Sequence, residues 1–199
     1  MNHIEVYDDA LSKEGCDKIV EYFENSPRKG DAFVTGENAT TSEVKPEFKN
    51  GTNLSVWLSN CDKDMYDYLD SYILPALNYG LSQYKQKNPL IDNGINAWNI
   101  EDGFNIQKFD GKEEGYFAQH CEAGALRTCN RILVWMIYLN DAKCGTRFYY
   151  PTRDVKAKKG RLVLWPAGWT HPHSGILPNI GCLLYTSDAA DEEDSVDLG

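Results

Sequence analysis

Four histidines punctuate the 199-residue chain, at positions 3, 120, 171 and 173. Three of them lie in settings that could do chemistry. His120 is followed two residues on by a carboxylate, Glu122. If that stretch is a strand, its side chains alternate, and His120 and Glu122 share a face. A neutral imidazole beside a carboxylate suits a divalent first-row metal. His171 and His173 come later, in WPAGWTHPHSG, and either could supply a third ligand. Two histidines and one carboxylate on one side of a metal leave positions open for substrate and oxygen. Each piece alone has a plainer reading: a surface His–Glu pair, and two histidines on a rim. What joins them is their order. H-x-E comes first, then an apolar run from Ile132 to Leu139, then a turn, then Trp165-Pro166 and the histidine pair.

The elements that must position these residues can be sketched from periodicity. The run from Ile132 to Leu139 is apolar on both faces, as a central strand covered on both sides would be. Ile4 to Tyr7 reads as a short strand. Ser12 is a helix N-cap, and Cys16, Ile19, Val20 and Phe23 recur at helical spacing as far as Asn25-Ser26-Pro27. Lys29 to Asn53 is a polar loop with short strands, and Leu54 to Leu58 is a strand. Asp62 caps a second, longer helix with Met65, Tyr68, Leu69 and Tyr72 on one face. Pro75 kinks it before Leu77, Leu81 and Tyr84 continue the stripe. From Asn96 onward the pattern is of strands: Phe104 to Phe109, the central run, Arg147 to Tyr150, Val155 to Lys158 and Arg161 to Trp165. Lys159-Gly160 makes a tight turn. Two helices followed by short strands predict an α+β chain with the helices packed on one face of an antiparallel sheet.

Composition narrows the class. The length suits one domain with a sizeable core. No apolar run approaches a membrane span, and Met1 to Asp9 is polar and acidic, unlike a signal peptide. Six cysteines, without a C-x-x-C pair, argue against a zinc ribbon or a dense disulfide framework and fit a reducing, cytoplasmic interior. A formal charge of −10 argues against a nucleic-acid partner.

As a set, IQKF (106–109), EGYFAQHCE (114–122), NRILVWMIYLND (130–141), GTRF (145–148), KKGRLVLWPAGWTHPH (158–173) and Gly181 resemble the catalytic core of iron(II)/2-oxoglutarate dioxygenases of the prolyl 4-hydroxylase type. Phage-encoded and marine microbial members are the most similar. The resemblance implies a double-stranded β-helix, or jelly roll, over residues 96–181, supported by helical segments in 1–95. It also implies hydroxylation of a peptidyl (including prolyl) or small-molecule substrate, with Fe(II) and 2-oxoglutarate as cofactors and ascorbate as an accessory reductant. A phage-encoded enzyme would work in the host cytoplasm. His120 and Glu122 match the first two metal ligands. The third is His173, by the spacing to Gly181, with His171 as the alternative from its distance to Trp165-Pro166. Tyr138 matches the position whose hydroxyl binds the distal carboxylate of 2-oxoglutarate. Arg131, opening the central strand, matches a basic position facing cosubstrate or substrate. Tyr116 and Trp135 are packing residues.

The chain departs from the family pattern in four places. Position 122 is usually aspartate. Phe109 stands where a hydrogen-bonding tyrosine is common. A lysine or arginine is expected near 183, about ten residues after the metal histidine, and Leu183 stands there. Finally, CLLYTSDAADE, from Cys182, resembles the translation of a transposase-type sequencing adapter. Residues 182–199 are therefore expected to be a non-native tail on a truncated domain spanning 1–181. That tail holds six acidic residues and no basic one, so without it the formal charge is −4.

Overall fold

A computed structural model describes residues 2–35, 42–92, 100, 102–111, 113–124, 128–177 and 182–186. Gly181 and the acidic stretch from 187 onward lie outside the described residues. Helix α1 (Lys13–Asn25) begins where Ser12 Oγ accepts from the Gly15 amide, and Glu14 complements the helix dipole in its first turn. Gly15, Cys16, Ile19 and Phe23 form its buried face. The second helical segment starts at Asp62, whose carboxylate accepts from the Met65 amide. It runs as α2 (Lys63–Tyr68), a π-turn (Leu69–Ile73) and α3 (Leu74–Lys87). Pro75 stands at the start of α3. Proline lacks an amide hydrogen and its ring crowds the carbonyl four residues back, and a turn widened to i→i+5 relieves both conflicts. The expected break thus falls in the turn just before the proline.

The strands are β1 (Glu5–Tyr7), β2 (Gly30–Asp31), β3 (Val34–Thr35), β4 (Ser42–Glu43), β5 (Lys49–Asn50), β6 (Thr52–Trp57), β7 (Gly103–Phe109), β8 (Gly115–Tyr116), β9 (Leu133–Tyr138), β10 (Gly145–Tyr149), β11 (Thr152–Lys156), β12 (Leu162–Pro166), β13 (His173–Ile176) and β14 (Cys182–Thr186). A seven-stranded antiparallel sheet has the order β1-β12-β9-β14-β7-β6-β2, and a three-stranded one the order β11-β10-β13. Alternation along β9 explains the unbroken apolar run. Trp135 and Ile137 join Leu54, Val56, Phe104, Ile106, Leu162 and Leu164 against the helices. Val134, Met136 and Tyr138 face the other way, onto Phe148 and Val155 of the small sheet and alongside Trp165 of β12. Helices, large sheet and small sheet therefore stack in that order.

Three expectations change. The stretch from His120 to Glu122 is not a strand. His120 makes a single bridge and Glu122 sits in the turn beyond it. The hairpin strand expected at Val155 to Lys158 is β11, Thr152–Lys156, because Gly160 needs the residues before it for its turn. Gly160 has φ +78°, and a Cβ there would lie 2.3 Å from the Leu11 carbonyl oxygen. The cysteines are not all free thiols. Cys144 and Cys182 form a disulfide across a separation of 38 residues, a pairing that only the fold brings about. No described helix is long and apolar enough to cross a membrane.

Candidate metal centre

The site is built on one backbone pairing. The His120 amide donates to the His173 carbonyl at 3.0 Å, and the His173 amide donates back to His120 at 2.9 Å. Such a doubly bonded antiparallel pair sets both side chains on one face, with the imidazole centroids 4.4 Å apart. The turn that follows brings Glu122 in beside them. Its Oε1 lies 3.3 Å from His120 Nε2 and 3.1 Å from His173 Nε2. Ligands at right angles on one metal, each about 2.1 Å from it, sit about 3 Å apart. The three side chains fit that spacing, and their donor atoms all lie within 4.8 Å of one another.

Tautomer and orientation are set by the backbone. His120 Nδ1 donates to the Ala118 carbonyl at 2.9 Å, and His173 Nδ1 to the His171 carbonyl at 3.0 Å. Each Nε2 is left to face Glu122, where a metal would take the place of its proton. Tyr116 stacks on His120 with centroids 3.6 Å apart and planes 11° from parallel. The Lys49 ammonium lies 4.7 Å from the Tyr116 ring centre. Trp165 and Phe148 close on the His173 ring at 5.1 and 5.5 Å. Burial alone would raise the Glu122 carboxyl pKa, but hydrogen bonds from His120 and His173 and their charge outweigh it and hold it well below the ordinary range. A divalent cation between the rings would replace those protons and serve the same charge. Arg131 Nη1 stands 3.6 Å from the other oxygen, Oε2.

The cluster opens on a cavity of about 50 Å³ between the sheets. Its walls are mostly apolar, including Phe109, Val134, Met136 and Trp165, with Gln107, Thr146 and Ser174 as polar points. Other residues singled out in the sequence fall elsewhere. His171 turns away: its Nε2 meets the Asn2 carbonyl at 2.9 Å and its Nδ1 the Thr170 hydroxyl at 2.9 Å. Burial pushes its pKa down. Only its main-chain carbonyl serves the cluster, by holding His173. Tyr138 is fully buried behind the cavity wall, its hydroxyl 2.8 Å from Thr146 Oγ1, and burial pushes its pKa up. Thr146, which had no sequence signal beyond lying in GTRF, is the group that reaches the cavity. Arg131 faces Glu122. On β14, Leu183 is registered opposite Lys108, and Leu184 opposite both Gln107 and Tyr138. Lys108 reaches Glu24 of α1, on the helix side of the sheet. Of these register partners, Gln107 lines the cavity.

No family model and no curated protein matches the chain. Solved structures do. A prolyl 4-hydroxylase from Pseudomonas putida aligns with TM-score 0.60 at 13% identity, covering 94% of this chain and 91% of that one. A Trichoplax adhaerens prolyl hydroxylase, solved with a hypoxia-inducible-factor peptide fragment, gives TM-score 0.67 at 14% identity, covering 94% and 82%. A collagen prolyl hydroxylase from Paramecium Bursaria Chlorella virus-1, solved with 2-oxoglutarate, gives TM-score 0.57 at 14% identity, covering 93% and 94%. At these identities the likeness is one of fold.

Proposed function

We propose that this chain is an Fe(II)- and 2-oxoglutarate-dependent oxygenase that hydroxylates a peptidyl (including prolyl) or small-molecule substrate, on a double-stranded β-helix. The observation that carries the reading is the His120–Glu122–His173 set, with its spacings of 3.1 and 3.3 Å, at the cavity between two sheets of that fold. The overall reaction inserts one oxygen atom into a C–H bond and the other into succinate: R–H, O2 and 2-oxoglutarate give R–OH, succinate and CO2. Bound iron supplies the redox chemistry. His120, His173 and one oxygen of Glu122 would hold it from one side, leaving the cavity side for cosubstrate and oxygen. Phe109, Val134, Met136 and Trp165 keep bulk water from that side. Thr146 presents a hydroxyl to the cavity, and Tyr138 orients it from behind, so Tyr138 acts on the cosubstrate through Thr146. The peptide on the Trichoplax protein supports a peptide substrate. Ascorbate as accessory reductant and a cytoplasmic setting belong to the same reading.

One observation favours a second reading, a metal-binding interaction module without turnover. Among the described residues lining the cavity there is no lysine or arginine to pair with the distal carboxylate of 2-oxoglutarate. Succinate release measured with Fe(II), 2-oxoglutarate and ascorbate separates the two. The oxygenase reading expects turnover that His120→Ala, Glu122→Ala and His173→Ala each abolish, while His171→Ala keeps a substantial part. Because the oxygenase reading also expects little turnover while residues 182–199 stand in place of a closing strand with a basic residue, the comparison is made with that strand restored, where stoichiometric iron binding without succinate would support the module instead.

A further inference from the structure

We propose that Arg131 is a positioning residue that makes Glu122 a one-oxygen metal ligand, an inference that rests on the metal-centre reading above. A glutamate has one more torsion than an aspartate, and its two oxygens are chemically equivalent. If both bound the metal, one of the positions needed for cosubstrate or oxygen would be lost. The structure separates the two oxygens. Oε1 lies between the imidazoles at 3.1 and 3.3 Å, and Oε2 faces Arg131 Nη1 at 3.6 Å.

The separation is built into the backbone. The Ala123 amide donates to the Ala167 carbonyl and the Ala167 amide to the Ile132 carbonyl, each at 3.0 Å. One residue thus ties the neighbour of Glu122 to the neighbour of Arg131. The Arg131 amide is itself anchored on the Thr128 carbonyl at 3.1 Å. Both side chains are only 8% exposed, so their attraction is weakly screened. The group facing Oε2 is a guanidinium, whose planar fork of donors matches carboxylate geometry. It holds that oxygen off the metal and fixes the torsion that the longer side chain adds. An aspartate at 122 would draw the carboxylate back from Arg131 by about one methylene, so the pair fits the glutamate that this chain carries.

Cobalt(II) titrated into the purified full chain, followed by calorimetry and by the visible spectrum of the bound ion, tests this without turnover. Arg131→Met should bind Co(II) about 10–100-fold more weakly, in the range typical when a ligand's supporting partner is lost, with an altered spectrum. Arg131→Lys keeps the charge and should stay within about threefold of wild type with its spectrum preserved. Glu122→Asp should weaken binding in wild type but add little in Arg131→Met, because both changes break the same contact. Wild-type affinity and spectrum in Arg131→Met would overturn the inference, as would fully additive costs. Removing one partner of a buried pair can unfold a protein. If Arg131→Met does not fold, Arg131→Lys decides, and a tenfold loss there overturns the inference. Failure of the wild-type chain to bind Co(II) would instead strike down the metal centre itself.

Discussion

The two faces of the seven-stranded sheet are made by the same strands yet differ in kind. Toward the helices, Leu54, Val56, Phe104, Ile106, Ile137, Leu162 and Leu164 are at most 1% exposed and carry no polar side-chain atom. Toward the small sheet, the same strands bury Asn53, Asn105, Gln107 and Tyr138. The Asn53 and Asn105 amides and the Ser55 hydroxyl bond to one another across β6 and β7. A buried polar group costs free energy unless satisfied, so a fold selected for stability alone would make both faces alike. The difference teaches that one face is purely apolar packing, while the other sets hydrogen-bonded polar groups among apolar ones beside the cavity between the sheets.

That division can be broken from either side. The largest effect is expected from Ile137→Ala on the helix face. Deleting three buried carbons should cost about 2–5 kcal/mol in denaturant unfolding while leaving metal affinity in the folded fraction unchanged. Lost metal binding at full stability would refute the division. On the cavity face, the register of β14 predicts that Leu184→Arg, placed opposite Gln107 and Tyr138, improves 2-oxoglutarate binding by about one order of magnitude. That is roughly the worth of one charge-assisted hydrogen bond. Leu183→Arg, registered with Lys108, should not improve it. Equal gains in both would mean that the register is wrong.

The smallest effect belongs to the rim, where neither face is involved. A hydrogen bond from Arg161, outweighing partial burial and helped by Lys158, lowers the Asp8 carboxyl to about 2. The folded value lies below the unfolded one. The stabilisation is therefore complete above pH about 4 and lost as pH falls through about 2. Asp8 is 43% exposed at the side chain, and solvent screening leaves about 0.5–1 kcal/mol. Asp8→Asn should be less stable than wild type by that amount at pH 7, with the gap closing in acid. A gap independent of pH would assign the loss to packing.

The helix face was the more legible in sequence, because a single period reports a single partner. Ser12, Asp62 and the apolar stripes placed both helical segments, alternation placed β7, and an unbroken apolar run placed β9. The donor residues of the candidate site were legible by type. Their arrangement was not, because it depends on contacts between distant parts of the chain. His120 and Glu122 meet through a turn rather than a shared strand face. His171 and His173 have similar sequence surroundings, and only the pairing with His120 turns His173 inward. The resemblance has Arg131 facing cosubstrate or substrate, whereas its approach to Glu122 depends on Ala167, more than thirty residues downstream. The resemblance implies that the Tyr138 hydroxyl meets the distal carboxylate of 2-oxoglutarate, but the small sheet interposes Thr146.

The bridge between His120 and His173 also sets an order in time. It closes a loop of more than fifty residues, and such contacts form late because the chain entropy of closure must be overcome first. The helices and the β9–β12 pair, whose partners lie 25 to 33 residues apart in sequence, need none of it. During synthesis, a chain that has not yet extended past β13 would hold Glu122 and one imidazole but no complete donor set. On the metal-centre reading proposed above, ion binding would then follow this closure, and the ions available to the finished protein, rather than to the nascent chain, would decide the occupant.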